Sequence, residues 1–175
     1  MTLFVSESRS EGLADSQTHF YFKDSKTGKV SSARIVRYYS RRPIVHPNAT
    51  FDPRLDPALR RAATIADERA NAQSKMRCWR YVKEALLESG ACSSYPHTQY
   101  AYQAGEELVR HYGFTRLSIR DPYSAPVGAV LVYGPGLDNG AGHVAIRTRN
   151  GFASDYRTNR RCRYPLLAIY GKFSS

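Results

Sequence analysis

The sequence predicts an α+β fold: helices first, then an antiparallel β-meander, behind an N-terminal extension. Three observations lead there. Apolar residues recur at helical spacing between residues 57 and 112. After Gly113 the pattern changes to short runs of β-branched and aromatic residues. Glycine- and proline-containing turns separate those runs, and segregated helices and strands make an α+β domain. A length of 175 residues suits one domain, or one domain plus an arm.

Taken in order, Phe20-Tyr21-Phe22, a turn over residues 24–29 and a run from Val30 to Tyr39 read as a hairpin. Residues 40–56 hold Pro43, Pro47 and Pro53 and read as an irregular wrap, so 1–56 is assigned to the extension and 57–175 to the domain. Asp56-Pro57 is an N-cap followed by proline at the first helical position. Leu59, Ala62, Ala63, Ile65 and Ala66 then share a helix face. Ser74 predicts the N-cap of a second helix, with Trp79, Val82, Leu86 and Leu87 on one face and Gly90 as its stop. A third helix is expected from about Tyr100 to His111, ending at Gly113. Strands follow: Phe114–Ile119, Val127–Tyr133, His143–Thr148, Phe152–Arg157 and Leu166–Phe173. Pro135–Gly142 reads as a loop and Arg149-Asn150-Gly151 as a hairpin turn.

Composition excludes several classes. With 42% hydrophobic, 23% charged and 12% aromatic residues the chain is neither disordered, collagenous nor a coiled coil. No apolar run approaches the ~20 residues of a membrane helix. Met1–Ser8 lacks a basic n-region and a long apolar stretch, so the expectation is synthesis in the cytoplasm without a Sec signal. The formal net charge is +11, and the excess is greatest after residue 112, where nine basic side chains face three acidic ones. A basic protein is drawn to polyanions, whether nucleic acid, anionic lipid or an anionic cell wall. The three cysteines, Cys78, Cys92 and Cys162, are too few for a disulfide scaffold and contain no Cys-x-x-Cys zinc pair. A Cys92–Cys162 bridge and three reduced thiols both remain open.

Cys78 lies near the start of the second helix, between Arg77 and Arg80. A helix N-terminus and nearby cations both stabilise a thiolate, the nucleophilic form. The bland alternative is an inert core thiol. His143 opens a strand directly after Gly142 and a glycine-rich loop, a place where an imidazole can face a cleft. His19, His46, His97 and His111 read as surface or structural. A thiol nucleophile needs an imidazole to take its proton and a third group to hold that imidazole. Asp155, one strand after His143 and across the Asn150-Gly151 turn, is the candidate, against a salt bridge to Arg157, Arg160 or Arg161.

The stretch Ser74-Lys75-Met76-Arg77-Cys78-Trp79-Arg80-Tyr81-Val82 resembles the nucleophile helix of papain-like cell-wall amidases, the CHAP and NlpC-type cysteine hydrolases. Val127–Tyr133, then Gly142-His143-Val144, then Asn150-Gly151 resemble their two central strands. Ala104–Leu108 and Gly113-Phe114 are similar to the linking helix of phage lytic enzymes and type VI secretion amidase effectors. The resemblance covers about residues 70–172, and departs from the family where Ala129 stands in place of a common Asp. It implies a papain-like fold and hydrolysis of amide bonds in peptidoglycan stem peptides, with neither metal nor cofactor. It makes Cys78 the nucleophile, His143 the base and Asp155 the orienting residue. Ser74, Trp79 and Tyr133 are weaker candidates for substrate or oxyanion contacts. Action in the periplasm or cell wall would follow phage lysis or specialised secretion. An injected toxin would also need an immunity protein over its cleft.

Two other readings stand beside this one. The same three residues could serve a cysteine protease or deamidase acting on a host protein. A non-catalytic basic protein could instead bind nucleic acid, but no specific nucleic-acid motif appears and the arginines are dispersed.

Overall fold

The computed structural model describes residues 19–24, 27–34, 49–137 and 140–174. The chain divides into two compact units, Met1–Ile44 and Val45–Ser175. In the first, β1 (His19–Lys23) and β2 (Val30–Arg34) form an antiparallel hairpin in the register His19↔Arg34 to Lys23↔Val30. Asp24 closes its turn, its carboxylate accepting from the Thr27 N–H at 2.8 Å and its carbonyl from the Gly28 N–H at 2.9 Å. The continuation to Tyr39, the wrap over 40–48 and the N-terminal stretch 1–18 lie outside the described residues.

The second unit begins earlier than the sequence suggested. Residues 49–56, grouped above with the extension, are tied into the domain by main-chain bonds. Ala49 N–H donates to Arg149 O at 3.0 Å, Val127 N–H to Thr50 O at 3.0 Å and Asp56 N–H to Lys172 O at 2.8 Å. Leu55 is buried there. Helix α1 (Pro57–Arg69) starts as its sequence predicts, the Asp56 carboxylate accepting from Ala58 N–H at 2.8 Å. Its buried face is Ala58, Leu59, Ala62, Ala63 and Ala66, four alanines that let neighbours come close. Gly128 uses that closeness: a Cβ there would lie 2.7 Å from the Leu59 main chain. Helix α2 (Cys78–Glu88) buries Trp79, Val82, Ala85 and Leu86, while Leu87 is exposed. A 3₁₀ turn (Ala101–Gln103) leads into α3 (Ala104–Tyr112), which Gly113 ends at φ 71°.

Six strands form one antiparallel sheet: β3 (Thr115–Arg116), β4 (Val130–Tyr133), β5 (His143–Arg147), β6 (Phe152–Ala153), β7 (Arg157–Thr158) and β8 (Leu166–Gly171). Their order is β3-β8-β4-β5-β6-β7. The meander runs from β4 to β7, and β8 returns to pair with β4 on its other side. Alternation assigns the two faces. Val130, Val132, Val144 and Ile146 join the helices in the main core. Leu131, Tyr133, Ala145 and Ile169 form a second core with Leu117, Tyr123 and Tyr164. Both faces are covered, so β4 is apolar throughout rather than alternating. Cys78, Cys92 and Cys162 form no disulfide. Cys92 sits in the main core and Cys162 against the other, on opposite faces of the sheet.

The continuous strand expected over Phe152–Arg157 is instead two short strands with a turn between them. Asn71 explains the break. Its N–H and side-chain amide donate to Asp155 O at 3.0 and 2.7 Å, and it accepts from Arg157 N–H at 3.2 Å. The chain is drawn off the sheet there, and Asp155 occupies the turn.

Candidate active site

Cys78 is the first residue of α2, held by the buried face behind it. Trp79 anchors that first turn: its indole N–H donates to Thr98 O and Oγ1, each at 3.1 Å. Thr98 is fixed in turn by Glu107, which accepts its N–H at 3.0 Å, and by Lys83, which donates to its carbonyl at 2.6 Å. Trp79 is therefore a core side chain, 4% exposed, and not the substrate contact the sequence suggested. The helix does not start at Ser74. Its N-cap is Arg77, with no side-chain capping bond.

The segment 74–77 is held by Asp155 instead. Asp155 is 0% exposed. Its Oδ2 accepts from Lys75 N–H at 2.6 Å, Arg77 N–H at 3.1 Å and the Ser74 hydroxyl at 3.0 Å. Its Oδ1 accepts from the Ser154 hydroxyl at 3.1 Å. Met76 adopts φ 59°, a left-handed conformation that costs a non-glycine residue about 1–2 kcal/mol. That conformation turns two successive odd-numbered N–H groups onto one carboxylate oxygen, an anion-binding nest. Burial works to raise the Asp155 pKa, but the bonds from Arg77, Lys75, Ser74 and Ser154 outweigh it and hold the group ionised below the ordinary carboxylate range. Ser74 spends its proton on Asp155, so its hydroxyl is committed rather than free for an oxyanion.

His143 is the first residue of β5. Gly142 sets it there: its φ is 72°, and a Cβ would lie 2.5 Å from Tyr133 O. Two phenol rings are near the imidazole, Tyr133 at 6.0 Å and Tyr156 at 6.1 Å between centroids. Asp155 acts on His143 through its charge, and no hydrogen bond joins the two. Its hydrogen-bonded partners are residues 74–77 and Ser154, where the sequence led us to expect His143. Tyr133 is 2% exposed and belongs to the second core.

The structure brings Cys78 and His143 to one cavity of about 440 Å³, together with Ser74, Tyr156 and Cys162. Burial raises the Cys78 thiol pKa, the nearby main chain of Val144 and Trp79 works to lower it, and the Asp155 charge adds to the rise. Burial also lowers His143 to about 4, opposed by the Asp155 charge. At neutral pH the cavity thus holds Cys78 as a thiol and His143 as a neutral imidazole. Tyr156, Asn71 and Ser154 were not singled out in the sequence. Their proximity to Asp155 was the one available signal for two of them; Asn71 carried none. Among the described residues no group of three or more His, Cys, Asp or Glu side chains could hold a metal ion. No helix among them is long and apolar enough to cross a membrane.

No protein-family model matches the chain, and no curated protein matches it. A chain of the native type VI effector–immunity complex Tae3–Tai3 from Ralstonia pickettii is similar in structure, with 22% identity and a TM-score of 0.56. The match covers 66% of this chain and 98% of that one. A chain of the selenomethionine form of the same complex matches at 26% identity and a TM-score of 0.45, over 56% and 80% of the two chains. The first likeness is one of fold, an α+β domain.

Proposed function

We propose that this protein is a cysteine hydrolase that cuts amide bonds in the peptides of bacterial peptidoglycan, delivered as a type VI-style effector. One observation carries the reading: a thiol at the start of α2 and an imidazole at the start of β5 line the same cavity. The fold shared with a chain of an effector–immunity complex supports it, as does the resemblance of the residues around Cys78 and His143 to cell-wall amidases.

His143 takes the Cys78 proton as the sulfur attacks the peptide carbonyl. The first N–H groups of a helix have no intrahelical acceptor, so the Cys78 N–H is available to the developing oxyanion. Protonated His143 then hands its proton to the departing amine, and water cleaves the thioester. Asp155 contributes by fixing the 74–77 loop and by placing its negative charge near the imidazolium. The net charge of +11 favours approach to an anionic wall, in the periplasm or cell wall. An immunity protein that covers the cavity would protect the producing cell.

The test is digestion of purified sacculi with mass analysis of the fragments, wild type beside Cys78→Ser. New muropeptides from the wild type alone support the proposal. An unchanged sacculus digest, with Cys78-dependent cleavage or deamidation of a protein, would move the assignment to the host-protein reading.

A further inference from the structure

The catalytic cavity has one charged wall. Arg160, Arg161 and Arg163 line it, on the segment between β7 and β8. Among the described residues no Asp or Glu lines it. These three arginines differ from their neighbour on the chain. Arg157 is committed to Asp67, with a guanidinium nitrogen 3.7 Å from the carboxylate and another donating to the Asp67 carbonyl at 2.6 Å. Arg160, Arg161 and Arg163 are exposed, and among the described residues none has an acidic partner. Their main chain is nonetheless fixed: Arg160 N–H donates to Thr158 Oγ1 at 3.0 Å and Arg161 N–H to Tyr123 Oη at 2.9 Å. Between them Cys162 turns inward, half-buried against the second core, and anchors the segment at the cavity.

Three guanidiniums with no acidic partner among the described residues, on a tethered segment at the Cys78 cavity, make a field that attracts an anion into it. A guanidinium fork matches a carboxylate in two-point geometry. We propose that Arg160, Arg161 and Arg163 form a carboxylate-binding subsite, selecting peptide substrates that carry a free carboxylate next to the amide attacked by Cys78. This rests on the hydrolase reading above, and it adds which peptides the site accepts.

The test separates the subsite from the reaction. Alkylation of Cys78, located by peptide mass, is timed with iodoacetate and with iodoacetamide, which differ by one negative charge. It is done in the full chain carrying Cys162→Ser, so that one cavity thiol reacts. The ratio of the iodoacetate rate to the iodoacetamide rate is expected to fall on the order of fivefold to tenfold when Arg160, Arg161 and Arg163 are all changed to Gln. High salt should lower the ratio of the unmodified cavity as well. Arg60→Gln and Arg149→Gln together remove two positive charges outside the cavity lining and should leave the ratio unchanged. An unchanged ratio in the triple variant overturns the subsite.

The second arm uses released muropeptides. For stem peptides with free carboxylates, KM should rise on the order of tenfold in the triple variant; for the same peptides with those carboxylates amidated, the difference between wild type and variant should vanish. A lowered alkylation ratio with equal KM values would overturn the assignment to substrate. A lowered ratio with no digestion of sacculi by the wild type would instead remove the peptidoglycan reading and leave the anion subsite standing.

Discussion

Replacing Asp155 with asparagine tests what its carboxylate does. Asp155 accepts four hydrogen bonds, three on Oδ2 and one on Oδ1. An amide can keep one oxygen facing the three donors of residues 74–77 and turn its NH₂ toward the Ser154 hydroxyl. It then loses the charge that strengthens each bond. Hydrogen bonds to a charged group contribute roughly twice what neutral ones do, so about 1 kcal/mol is lost at each of the three. The total is about 3 kcal/mol, and for a domain of this size that lowers Tm by on the order of 10 °C. The sign of the pH dependence follows from the lowered carboxyl pKa. Stabilisation by an ionised Asp155 is fully present above the unfolded value near 3.9 and is lost as pH falls through the lower folded one. The Tm gap between wild type and Asp155→Asn should thus be widest near neutrality and close in strong acid. Thermal unfolding followed by circular dichroism measures it. If Asp155 served only to orient His143, the variant would keep its Tm within about 2 °C and lose activity, and that result would refute the loop-holding role.

Two further expectations concern His143. Burial holds its imidazole down at about 4, so muropeptide release should persist through mildly acidic pH and fall with an apparent pKa near 4 rather than the ordinary 6.5. A folded value below the unfolded one also means that stability rises with pH between about 4 and 6.5, by at most about 3 kcal/mol for a half-buried ring; His143→Gln, which removes the titration, should flatten that part of the Tm profile. Gly142→Ala forces a Cβ to within 2.5 Å of Tyr133 O at φ 72°. The strand start must shift, and activity should drop at least tenfold while circular dichroism still reports a folded domain; unchanged activity would remove Gly142 from the positioning of the imidazole.

The elements with strong local signals were legible in the sequence. Asp56-Pro57 caps α1 as expected, Gly113 ends α3, and Val127–Tyr133 contains a buried strand. Cys78 and His143, chosen from a helix start and a post-glycine strand, meet at one cavity. What escaped was fixed by distant partners. Ser74 looks like an N-cap because its type suits one, yet its hydroxyl goes to a carboxylate 81 residues away. Asp155 was placed by strand alternation, which fails because Asn71 pulls the main chain out of the sheet. Trp79 reads from the sequence as a substrate contact, and its bond to Thr98 in the fold has no local signature.

The ties beside Cys78 join residues 71–77 to residue 155 across sequence separations of 78 to 84. Closing such long spans is entropically costly, so these contacts form late and open early. A ribosome-bound chain that has not yet emitted Asp155 holds residues 74–77 without the carboxylate that ties them down. In mild denaturant, hydrolysis should fade while the alanine-lined helices still give their full spectrum, because the latch lets go before the body melts.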